Sequence, residues 1–222
     1  IQVKILDKRA DLGHGDVKKL LFSLSVPTIT SQIVNMLYNL VDRVFIGHMQ
    51  PAETVGKLAL TGVGVCLPII MVISAFASLI AIGGAPRASI AEGAGESEKS
   101  ERIMGNCLTM LVITALVLTV LFESFAEPLL LMFGASENTI GYALDYMRIY
   151  ALGTIFVQLT LGMNAYITAQ GFATVSMKTV LIGALLNTAL DPLFIFVLGL
   201  GVRGAALATV ISQAVSAVWV MT

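Results

Sequence analysis

The decapeptide NTALDPLFIF, residues 187–196, places Asn187 and Asp191 four apart within an apolar run. Helical spacing stacks such a pair on one face, so an amide and a carboxylate are offered to a single ligand. Pro192 has no N–H, which leaves the neighbouring Thr188 carbonyl without its usual helical donor. A second polar series lies nearer the N-terminus, where Thr28, Ser31, Asn35, Tyr38, Asn39 and Asp42 recur along one helical face. Thr209 adds a hydroxyl from a third run. Carboxylate, amide and hydroxyl oxygens are hard donors, and the set holds no thiolate or imidazole. Asp42, Asn187, Asp191 and Thr209 therefore suit Na⁺ or a proton relay, not a soft metal.

These polar groups need explaining because their surroundings read as membrane. Of 222 residues, 57% are hydrophobic and 12% charged, with a mean hydropathy of +0.90; an ordinary soluble domain carries roughly 25% charged residues. An Asp at the bilayer centre costs about 2.5–3.5 kcal/mol on insertion scales and usually faces a cavity or a partner. Gly, Pro and charge divide the chain into apolar runs near 19–47, 55–84, 103–126, 139–168, 176–198 and 204–222, each long enough for the ~20 residues a crossing requires. The expected fold is an all-α integral membrane bundle of six transmembrane helices over 18–222. A polar lead, 1–17, precedes it, with Asp16 as the first helix cap.

Lys and Arg cluster in the lead and in the connections after spans two and four, which assigns both termini to the cytoplasmic side. At ~1.5 Å per residue, Asp191 then lies about 22 Å along the outward-running fifth span. Asp42, near the outer end of span one, and Thr209, in the first turns of span six, fall at a similar depth. The chain opens at Ile1 and stops at Thr222 inside an apolar run, which reads as a piece of a longer protein.

A formal net charge of -1 and the lack of a dense basic tract leave no electrostatic footprint for nucleic acid. Cys66 and Cys107 stand alone in apolar runs and read as small fillers. Pro27 and Pro192 are candidate helix-bending positions. Asn35, Tyr38, Asn39, Gln158 and Asn164 are candidate cavity-lining residues, with hydrogen bonding between helices as the alternative for Gln158 and Asn164. Asp145 and Arg148, three apart, are expected to form a local ion pair. Gly204, Ala208, Ser212 and Ser216 form a small-residue stripe that reads as helix packing.

Three stretches together resemble the N-terminal half of multidrug and toxic compound extrusion (MATE) transporters. SVPTITSQIVNMLYNLVDRVFIGH is similar to that family's first helix, GGAPRASIAEGAGE to the end of its second, and NTALDPLFIFVLGLGVRGAALATVISQ to its fifth and sixth. The resemblance implies one lobe of a twelve-helix antiporter, not an enzyme, without an organic cofactor. It implies export of amphipathic, cationic small molecules in exchange for Na⁺ or H⁺ across the inner membrane of a bacterium or archaeon. It also implies a coupling-cation site at Asp42, Asn187, Asp191 and Thr209, a bending point at Pro27, and a C-terminal six-helix lobe beyond this chain. The alternatives are a lipid-linked precursor flippase of the same superfamily, a non-transporting membrane subunit, and an intramembrane aspartyl protease. The protease is disfavoured because Asp191 follows TAL and not the GxGD pattern.

Overall fold

Asp16 starts the first helix as expected: its side chain accepts a 2.9 Å hydrogen bond from the Lys18 N–H. A computed structural model describes residues 16–222; the rest of the expected lead lies outside the described residues. The chain runs through α1 (Val17–Gly47), α2 (Lys57–Val65), α3 (Leu67–Gly93), α4 (Ser97–Met132), α5 (Ile140–Leu152), α6 (Thr154–Ala169), α7 (Ala173–Pro192) and α8 (Val202–Met221). π-helical turns cover Ala52–Gly56 and Leu193–Val197. Five continuous stretches among the described residues are long and apolar enough to cross a bilayer; α5 with α6 makes the sixth if that bent pair is one span.

The helices satisfy their backbone groups internally, as a hydrocarbon solvent demands. Large apolar side chains point outward on several of them, including Phe22, Met36, Leu79, Ile82 and Val120. Such a surface is incompatible with water over this area and fits lipid or further protein. Inside, Ile46, Ile69, Ile73, Met147 and Ile195 join α1, α3, α5 and the second π-turn. Ala77, Leu111, Met163 and Tyr166 join α3, α4 and α6.

Three boundaries differ from the expectation. Span two continues past 84 to Gly93, because Gly83, Gly84 and Pro86 are carried within α3. Span three continues past 126 to Met132, with non-helical angles at Phe125 (φ -117°, ψ 18°). Pro128, three residues on, removes a ladder hydrogen bond and crowds the preceding turn, which accounts for the kink. Span four is two helices bent by 56°. Gly153 sits at the break, where a Cβ would lie 2.5 Å from Val210 Cγ2 of α8, so only glycine admits this approach.

The expected Asp145–Arg148 pair is corrected. Asp145 instead accepts from Arg203 Nη2 at 2.8 Å, tying the middle of α5 to the start of α8. The small-residue stripe packs as expected: Gly204, Ala208, Ser212 and Ser216 are buried. Pro27 lies within an unbroken α1, and Pro192 hands α7 directly to the π-turn.

Candidate functional site

The first helix packs mainly on α7, and α7 packs in turn on α8 and α6. Phe45 and Phe196 meet edge to face with centroids 6.2 Å apart, pinning the end of α1 beside the π-turn. Along the polar series of α1, Ser31, Asn35 and Tyr38 are half-buried, whereas Thr28 and Asn39 are exposed. Asp42 is buried near one end of α1, while Asn187 and Asp191 are buried one turn apart on α7. Gly183 lies one turn below them, where a Cβ would meet Ser216 Oγ at 2.6 Å. Its lack of a side chain lets α8 approach closely enough to place Thr209 beside Asn187.

Asn187 Nδ2 donates to Asp191 Oδ1 at 3.2 Å and to Thr209 Oγ1 at 3.4 Å. Thr209 Oγ1 donates to the Ala205 carbonyl at 3.0 Å. Residues of α7 and α8 thus meet through hydrogen bonds, with Asp42 of α1 on the wall of the same cavity, and the acceptors outnumber the donors. Asp42 Oδ1, Asn187 Oδ1 and Asp191 Oδ2 are buried oxygens without a hydrogen-bond partner. Asp42 and Asp191 also lie within electrostatic range of each other. An ionised carboxylate has only acceptor sites, so this arrangement has the chemistry to accept a cation or a proton.

A cavity of about 220 Å³ opens beside these groups. Asn35, Tyr38, Asn39, Asp42, Asn187, Thr209 and Asn164 line it, whereas Asp191 stands behind its surface. Gln158 is placed elsewhere: its Nε2 donates to the Ile73 carbonyl at 2.8 Å, bonding α6 to α3, and it does not line the cavity. The cavity also takes Ser74, Thr160, Thr179 and Gln213, which the sequence reading did not single out. Ser212 and Ser216, read only as packing residues, line it as well. Thr160 and Asn164 stand four apart, as do Ser212 and Ser216, so the same spacing used for Asn187 and Asp191 would have found them. Arg43 is the only basic residue lining the cavity among the described residues. No group of three or more His, Cys, Asp or Glu residues placed to hold a metal ion occurs among them.

The sequence matches the MatE family over residues 27–193. It is 30% identical over 203 residues to the multidrug export protein MepA of Staphylococcus haemolyticus, an alignment covering 91% of this chain and 44% of that protein. The fold superposes with a TM-score of 0.86 on a MATE crystal structure in the straight conformation, at 29% identity, covering 96% of this chain and 46% of the other. A MATE crystal structure in the bent conformation gives 0.85 at 29% identity, covering 93% and 45%. The chain thus spans less than half the length of the relatives it matches.

Proposed function

The chain belongs to the MatE family, whose members are membrane transporters and not enzymes, and on that premise we propose that it is the N-terminal lobe of a cation-coupled multidrug exporter. Its substrates are amphipathic, cationic small molecules, its coupling ion is Na⁺ or H⁺, and a second six-helix lobe completes the transport path. The lobe sits in a bacterial or archaeal inner membrane with its N-terminus in the cytoplasm.

One observation carries this reading: buried, unpartnered oxygens of Asp42 on α1 and of Asn187 and Asp191 on α7 gather beside a cavity. In the proposed cycle a cation engages Asp42, Asn187, Asp191 and Thr209 across the α1–α7 seam. Neutralising the two carboxylates draws α1 and α7 together. Because α1 has little other packing, its pose responds to the state of this seam. Around Pro27, Thr28, Thr30 and Ser31 each donate a hydroxyl hydrogen bond back to the carbonyl four residues earlier. Such back-bonding softens a helix and favours bending there. Coupling follows if drug and cation prefer different poses of α1, since a ligand shifts a conformational equilibrium only by its differential affinity. The single basic residue lining the cavity weighs against the flippase alternative, which calls for a strongly basic cavity.

Equilibrium binding of Na⁺ and of protons to the purified full-length protein tests the site. Asp42→Asn and Asp191→Asn should each weaken the coupling ion at least about ten-fold, the loss expected for one charged ligand. Unchanged affinity in both variants would remove these carboxylates from the coupling site.

A further inference from the structure

A second cavity lies apart from the carboxylates, in a groove between α3 and α4 that ends at their connection. Its walls include Leu79, Ile80, Ile103 and Met110, and its end carries Arg87 and Lys99. The groove encloses about 780 Å³. Gly83 forms part of its floor, and a Cβ there would meet nothing within 4 Å. Lys99 is paired with Glu96 at 2.7 Å, whereas Arg87 is exposed and forms no ion pair among the described residues. Among the residues lining this end, two cations stand against the one carboxylate of Glu96, which leaves the Arg87 charge uncompensated on the groove wall.

The dimensions match one lipid leaflet. From Arg87 back to Leu79 is about 12 Å of helix, and from Lys99 on to Met110 about 16 Å, at ~1.5 Å per residue. One leaflet contributes roughly 15 Å of hydrocarbon. Cations at one end and an apolar trough of acyl-chain length behind them form the complement of a single lipid. A free phosphate would use the cations alone and leave the trough unexplained.

We propose that this groove binds one anionic phospholipid, its phosphate held by Arg87 and Lys99 and an acyl chain lying over Gly83. Native mass spectrometry of the full-length protein, released from bilayers containing equal phosphatidylglycerol and phosphatidylcholine, reads the retained lipid. The wild type should retain phosphatidylglycerol at least about five-fold over phosphatidylcholine, the effect of one basic residue at an anionic surface. Arg87→Gln should abolish the preference and Arg87→Lys should restore it. Gly83→Leu should fill the trough and reduce retention of both lipids. Equal retention of the two lipids by wild type, or a preference untouched by Arg87→Gln and Gly83→Leu, would overturn the proposal. So would cross-linking from position 83 to another segment of the protein, which would show that protein occupies the groove.

Discussion

Replacing Asp191 by Asn separates a cation ligand from a structural carboxylate. Asp191 is fully buried, its Oδ1 accepts only from Asn187 at 3.2 Å, and its Oδ2 has no partner. Asn has nearly the same volume, so packing changes little. The variant exchanges a charged acceptor for a neutral amide oxygen in the bond from Asn187, a loss of about 1 kcal/mol, and sheds an under-compensated buried anion whose penalty is several kcal/mol. The difference favours the variant by about 1 kcal/mol in the absence of ions, a small rise in Tm. Ion binding acts oppositely. At a concentration of about 100 Kd a cation stabilises the wild type by about 2.7 kcal/mol, and a hundred-fold loss of affinity reduces this to about 0.4 kcal/mol. Thermal unfolding of the full-length protein in Na⁺ and in choline should therefore show a variant that is more stable without Na⁺ and nearly unresponsive to it. The same comparison across pH reads H⁺ as the ion. A variant less stable than wild type in choline, with its ion response intact, would make Asp191 a structural residue and refute the cation role.

Other substitutions probe neighbouring features. Gly153→Ala should destabilise by about 1–3 kcal/mol by overpacking against Val210; Val210→Ala in the same chain should recover most of the loss in thermal unfolding. Gln158→Leu removes the 2.8 Å bond to the Ile73 carbonyl and should cost up to about 1.5 kcal/mol while leaving the ion dependence of export unchanged in vesicle assays. Arg43→Gln takes away the only basic residue lining the carboxylate cavity among the described residues, so titration should show tighter cation binding than in wild type.

The residues brought together at the site were legible because helical periodicity is local. Asn187 and Asp191 had to share a face, and the polar face of α1 had to avoid lipid. Thr209 was placed by counting depth along a span, which works when helices run alternately across a bilayer. What escaped depends on contacts between distant segments. Gly153 sits in the apolar stretch YALGTIFV without a proline, and its break follows from the approach of Val210, 57 positions later. Asp145 found Arg203, 58 residues away, in preference to Arg148 one turn away. For Gln158 the sequence left cavity lining and bonding between helices both open, and only the fold decides between them, by presenting the Ile73 carbonyl of α3. Ser212 and Ser216 were small enough to read as packing, and they serve both the packing and the cavity wall.

Coupling through Asp42 and Asp191 is tested most directly by drug uptake into inverted vesicles of the full-length protein, with Na⁺ and pH gradients imposed separately. One of the two gradients should drive uptake in wild type, and Asp42→Asn and Asp191→Asn should each abolish that gradient dependence. Uptake driven by neither gradient, or gradient-driven uptake that survives in both variants, would contradict cation coupling at these carboxylates.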